Sequence, residues 1–180
     1  MIIKKLVIDN VGLYGEFTSF SLMPKRNQDQ SIILIGGKNG AGKTTFLESV
    51  RLALYGKRAL GLVTSQKEYE EYLTNRVNRN SKKLSASIEL TFIYTEANRP
   101  AEYTIQRSWF INNDLLTEKL NLTKNGEQVT SVPPEEWSNF LLELVPIGVS
   151  QLFFFDGERI QDMAEDPRYP RRRRSRRRNF

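Results

Sequence analysis

The chain has 180 residues, with 27 Lys plus Arg, 21 Asp plus Glu, and neither His nor Cys. That length supports one domain with a real core, and the missing residue types exclude a Ser-His-Asp triad, a Cys nucleophile, a disulfide scaffold and the usual zinc sites. The net charge of +6 belongs to one end: residues 167–180 hold eight Arg and no acid, while the remaining 166 residues carry 19 basic and 21 acidic groups.

Met1 to Leu6 reads directly into a strand rather than a signal peptide. Ile2 to Ile8 is rich in β-branched residues, Asn10 to Gly15 supplies turn residues, and Glu16 to Met23 alternates Phe17, Phe20 and Leu22 with Thr and Ser, which predicts two paired strands. Pro24 to Gln30 is a polar loop. Ser31-Ile32-Ile33-Leu34-Ile35 is an unbroken apolar run, as expected of a strand buried on both faces of a sheet. Glycines follow, then a helical pattern from Lys43 to Tyr55 with Phe46, Leu47, Val50 and Leu54 on one side. A helix is expected around Glu68 to Arg76. Leu84 to Tyr94 and Glu102 to Phe110 alternate as a hairpin around Asn98-Arg99-Pro100. Leu120 to Thr123 with Asn125-Gly126 suggests another, because Asn-Gly fits a type I′ turn. Pro133-Pro134-Glu135-Glu136 opens a helix with Trp137, Phe140, Leu141 and Leu144 on its buried stripe. Val149 to Phe155 is again apolar, and Gly157 to Glu165 could begin a helix. No apolar run approaches the roughly 20 residues of a membrane span, so no membrane partner and a cytoplasmic location are expected.

Gly37-Lys38-Asn39-Gly40-Ala41-Gly42-Lys43-Thr44 fits G-x-x-x-x-G-K-[ST], the phosphate-binding P-loop, with Thr45 directly after it. Glycines let the backbone curl so that successive N–H groups converge on one anion-sized concavity. The helix that follows brings its positive end to the same spot. Lys43 can reach the β- and γ-phosphates of a nucleotide, and the Thr44 hydroxyl can ligate Mg²⁺. A chance glycine-rich turn would match this pattern in well under about 1% of chains of this length. The strand-like and helical flanks are the context the motif requires.

Val149 to Glu158 is the second constellation. One reading is a strand that delivers Asp156 to Mg²⁺, with Glu158 as a water-activating base. A rival reading gives the metal to Gln151, whose neutral amide holds Mg²⁺ and water without adding negative charge beside a triphosphate. A third is an aromatic strand ending in a turn.

The order of these parts resembles the N-terminal half of an ABC-type ATPase head of the SMC class. The similarity narrows to the DndD family of DNA phosphorothioation (sulfur modification) systems. It rests on Leu6-Val7-Ile8-Asp9-Asn10, on Gly36 to Thr45, on Leu54-Tyr55-Gly56-Lys57-Arg58-Ala59-Leu60-Gly61, and on Gln151-Leu152-Phe153-Phe154-Phe155-Asp156-Gly157-Glu158. The resemblance covers residues 1 to about 166 and implies a P-loop NTPase fold of the α/β class: lobe I of an ABC/SMC-type head, a mixed sheet around the P-loop helix beside an antiparallel β subdomain. It implies ATP and Mg²⁺ as cofactors and Gln151 as the Q-loop residue at the metal, ahead of Asp156. It places Gly12 to Tyr14 near the nucleotide. It also implies partners: a C-terminal half carrying the signature and Walker B motifs, a second head across ATP, DNA, and other sulfur-modification proteins. Lacking those motifs, the chain alone is expected to hydrolyse ATP poorly or not at all.

Arg76, Arg79, Lys82 and Lys83, interleaved with Asn75, Asn78 and Asn80, form the local basic cluster of the body and suit contacts to a phosphate backbone. A solvated loop is the plain alternative. Residues 167–180 are expected to be disordered and to bind any polyanion. They have no counterpart in the resemblance, and a truncated, frame-shifted or artificial end would explain them as well as a functional arm. Other functions stay open: an ABC-type ATPase of DNA repair or transport, or a DNA-binding module with a vestigial P-loop. A self-sufficient P-loop kinase or GTPase lacks its base-recognition motif here.

Overall fold

The computed structural model describes residues 1–23, 33–113 and 115–148. Strands β1 (Ile2–Asp9) and β2 (Thr18–Ser21) come first, then helix α1 (Lys43–Tyr55), a 3-10 turn (Gly56–Ala59) and helix α2 (Gln66–Arg76). Strands β3 (Ser85–Glu96), β4 (Arg99–Asn112), β5 (Leu115–Lys124) and β6 (Glu127–Gln128) follow, and a 3-10 turn (Pro134–Glu136) leads into helix α3 (Trp137–Leu144). The six strands make one sheet in the order β2-β1-β3-β4-β5-β6.

Side-chain parity decides which face of that sheet is covered. Ala86, Ile88, Leu90 and Phe92 of β3 are buried, as are Ala101, Tyr103, Ile105, Arg107 and Trp109 of β4. The apolar ones share a core with Leu6 and Ile8 of β1, Val50, Leu52, Ala53, Leu54 and Tyr55 of α1, Tyr69 and Leu73 of α2, and Trp137 and Leu141 of α3. Helices therefore lie on one face of an antiparallel sheet, a two-layer arrangement in which each element hides its apolar side. Trp109 ties the layers together by donating its indole N–H to the Leu73 carbonyl at 3.0 Å. No helix among the described residues is long and apolar enough to cross a membrane.

Local chemistry sets most boundaries. Helix α1 spans the residues expected of it, and α2 starts before Glu68 because Ser65 and Glu68 form a reciprocal capping box. The β5–β6 turn has Asn125 and Gly126 at φ 52° and 85°, the left-handed pair that a type I′ hairpin needs. The β3–β4 turn uses Ala97 and Asn98, at φ 45° and 63°, rather than the expected Asn98-Arg99-Pro100. Arg99 and Pro100 already pair with Glu96 and Thr95.

The mixed sheet expected around the P-loop helix involves Ser31–Ile35 and Val149–Phe155, which lie partly or wholly outside the described residues. Every strand pair among the described residues is antiparallel. The tight β3–β4, β4–β5 and β5–β6 connections leave no room for a parallel crossover. The strand expected at Ser31–Ile35 is corrected where it is described: Ile33, Leu34 and Ile35 form no strand and are 42%, 91% and 39% exposed. A strand buried on both faces needs a neighbour on at least one edge, and none of the described strands pairs with this run. The apolar stretch at Val149–Phe155 and the helix at Gly157–Glu165 lie outside the described residues.

Candidate phosphate-binding site

The site begins where α1 begins. Gly42 is the N-cap, in the left-handed region at φ 94°, and no acid lies in the first turn. Gly40, at φ 78°, makes the preceding bend, which the Ala41 N–H closes by donating to the Lys38 carbonyl at 3.1 Å. The first-turn amides of a helix have no intrahelical acceptor, so they and the helix dipole favour an anion at this point. Lys43 folds its ammonium back over the loop and donates to the carbonyls of Gly37 and Lys38, both at 2.9 Å. The curl is thus held by the cation that a phosphate would draw out.

Gly37 to Ala41, Lys43 and Thr44 are exposed, which leaves the Thr44 hydroxyl free for a metal. Thr45 differs: it is buried, and a Cβ on Gly12 would lie 2.8 Å from its Cγ2. Its side chain packs against Gly12 in the turn that follows β1. The donor set fits a nucleotide's phosphates: free amides at the helix start, one exposed ammonium, one exposed hydroxyl and no carboxylate in the first turn.

A second loop, which the resemblance places near the nucleotide through Gly12 to Tyr14, steadies this one. The Tyr14 hydroxyl donates to the Gly42 carbonyl at 3.2 Å, and a Cβ on Gly42 would meet the Tyr14 ring at 2.9 Å. Tyr14 stands edge-on to Phe20, which stands edge-on to Phe46 of α1. Burial pushes the Tyr14 phenol above its ordinary value, so it stays a donor. Removing the hydroxyl in Tyr14→Phe should weaken nucleotide binding several-fold, from the roughly 1 kcal/mol of a neutral hydrogen bond, with little change in melting temperature. Isothermal titration and a melting curve on the same sample check this.

The basic cluster divides. Arg76 is spent inside the fold: it pairs with Glu48 of α1 at 2.7 Å and lies 4.7 Å over the Tyr72 ring. Arg79, Lys82 and Lys83 are exposed. Their segment is laced to the Tyr14 loop by the Gly12 N–H donating to the Arg76 carbonyl at 2.6 Å and Asn78 Nδ2 donating to the Gly12 carbonyl at 2.7 Å. Asn10 adds side-chain bonds to the carbonyls of Lys83 and Ser85 at 3.0 and 2.6 Å. Gln151, Asp156 and Glu158 lie outside the described residues, as does the tail at 167–180.

A family model described as an AAA domain matches residues 5–178. No curated protein matches the chain.

Proposed function

From the premise that this chain belongs to the AAA domain family of SMC- and ABC-like P-loop ATPases, and so is of a nucleotide-binding type, we propose that it is the ATP-binding N-terminal lobe of a DNA-processing ATPase that supports DNA phosphorothioation. The observation that carries the reading is the P-loop curl, closed by Lys43 on its own carbonyls and braced by Tyr14. In this proposal the amides of residues 37–44 and the Lys43 ammonium hold the phosphates of ATP, and Thr44 with Gln151 holds Mg²⁺. The ion would neutralise charge on the phosphates as the bond to the leaving group breaks.

Hydrolysis needs groups that a second segment would bring. The exposed run Ile33-Leu34-Ile35 supports this, because an apolar strand sequence left beside the P-loop is ready to pair with strands of a C-terminal half. The partners proposed are that half, a second head, DNA and other sulfur-modification proteins. The test is an ATPase assay: turnover should be near background for the chain alone and should rise when the C-terminal half is supplied. Mg²⁺-dependent turnover by the chain alone, lost in Lys43→Ala, would contradict it and promote Asp156 and Glu158 to catalytic candidates.

DNA contact is proposed at Arg79, Lys82 and Lys83 and no longer at Arg76. Reversing the three charges to Glu should flatten the log–log salt dependence of DNA binding by about 3 units, near 0.9 per phosphate contact. The Arg-rich tail must be deleted from both proteins compared, since its eight Arg would mask the change. An unchanged slope removes the segment from the interface.

A further inference from the structure

At the opposite end of α1, about 20 Å along its axis from Lys43, lies a cleft of about 320 Å³. Gly56, Lys57, Arg58, Tyr69, Arg107 and Ser138 line it. Its floor is a buried cation, because Arg107 is only 4% exposed. The guanidinium has three nitrogens and two obvious tasks. Nε donates to the Ala53 carbonyl at 3.1 Å, and Nη1 pairs with Glu118 at 2.8 Å. Nη2 is buried and has no hydrogen-bond partner among the described residues.

The surroundings say what kind of partner that nitrogen lacks. Glu118, the carboxylate in the lining, is already engaged by Arg107 and by the Tyr69 hydroxyl at 2.8 Å. Lys57 takes part in no ion pair among the described residues, and Arg58 donates to the Asn139 amide at 3.2 Å, which holds it beside α3. Three cations therefore face one carboxylate. Gly56 keeps the arrangement open: a Cβ there would lie 2.8–2.9 Å from the Arg107 guanidinium carbon and both terminal nitrogens. Carbonyls at the end of α1 would repel an anion, but Arg107 takes up the Ala53 carbonyl and the Gly56 N–H takes up the Leu52 carbonyl. The volume falls at the small end of the roughly 300–1,000 Å³ range of ligand clefts.

We propose that this cleft is a second ligand site, separate from the P-loop, that binds a small-molecule oxyanion, phosphate or carboxylate, through Arg107 Nη2 with Lys57 and Arg58 at its mouth. An oxyanion supplies the charge-assisted acceptor that a buried guanidinium N–H requires. The site takes a free small molecule because Nη2 is itself buried at the floor of a cleft of about 320 Å³.

The Arg107 side-chain Nε–H resonance of the full-length chain reports on the site directly. Titration with inorganic phosphate, and separately with acetate, should move it saturably with at least one of them, and the stronger arm names the ligand class. The shift should survive Lys43→Ala, which disables the P-loop. It should need about tenfold more anion in the double variant Lys57→Ala/Arg58→Ala, about 1.4 kcal/mol for the two rim charges together. These two residues are at the surface of a short turn, so the variant folds independently of the buried Arg107. No saturable movement with either anion at tens of millimolar would mean that Nη2 meets only water, and the proposal fails. A shift lost in Lys43→Ala would trace the signal to the P-loop and also overturn it, while leaving the nucleotide reading intact.

Discussion

Lys43→Ala should lower the affinity for Mg·ATP by roughly 100-fold, the equivalent of about 3 kcal/mol for the charge-assisted hydrogen bonds an ammonium makes to phosphate. The melting temperature should barely change. Lys43 is exposed, and among the described residues its side chain bonds to two carbonyls of an exposed loop, which water can satisfy when the side chain is removed. The two readouts together separate a binding role from a structural one: a variant that binds poorly because it is unfolded would fail both. Equal affinity in the variant and the parent would mean that the nucleotide, if bound, is held elsewhere.

Arg107→Met should have the largest effect on stability. Among the described residues it removes the one cation bonded to Glu118, whose side chain is 22% exposed, and strips the Ala53 carbonyl of its donor at the end of the P-loop helix. Breaking a buried pair by deleting one partner costs about 3–5 kcal/mol. Partial exposure of Glu118 argues for the lower figure. A loss of about 3 kcal/mol corresponds to a fall of roughly 6–12 °C in melting temperature for a domain of this size. The double variant Arg107→Met/Glu118→Leu should recover much of the loss, since no charge is then left stranded. If the double variant is no more stable than the single one, the ion pair is not what holds the end of α1.

Tyr69 gives the same cluster a pH signature. Burial is the main cause that pushes its phenol far above its ordinary value, and the hydroxyl donates to Glu118. A raised folded-state value means that its contribution to stability is complete below the ordinary tyrosine range and declines as pH rises past about 10. Phenolate absorbance from Tyr69 should therefore appear together with unfolding. Tyr69→Phe should reduce that alkaline loss, and ionisation of Tyr69 well before unfolding would refute the assignment.

Those clusters also show what was legible in the amino-acid order. Helix α1 was readable to its ends because glycines precede it, an apolar stripe runs through it and Gly56 stops it. The Asn125-Gly126 turn announced itself, since few other pairs adopt two left-handed residues cheaply. Arg107 carried a signal that went unread: it sits on the same parity as Tyr103, Ile105 and Trp109, the buried face of β4. A charge in that register must have a partner, but Glu118 and Ala53 are distant in sequence and their convergence is tertiary.

The misreading at Ile33–Ile35 has a different cause. Apolar content shows that a segment seeks burial and says nothing about which strand will cover it. In the sheet β2-β1-β3-β4-β5-β6 no described strand pairs with the run, which is left exposed. The resemblance brought Tyr14 near the nucleotide, but its bond to Gly42 was not legible, because it depends on how β1 leads into β2. Gln151, Asp156 and Glu158 were named from the sequence and lie outside the described residues.

The central claim is that the curl from Gly37 to Thr44 holds a triphosphate. Titrating Mg·ATP into the chain with residues 167–180 deleted, while following the backbone amides of Gly40 to Thr45 by NMR, tests it most directly. The account predicts saturable shifts at those amides and release of the Lys43 ammonium from the Gly37 and Lys38 carbonyls. Undisturbed amides at millimolar Mg·ATP, both alone and with the C-terminal half present, would contradict it.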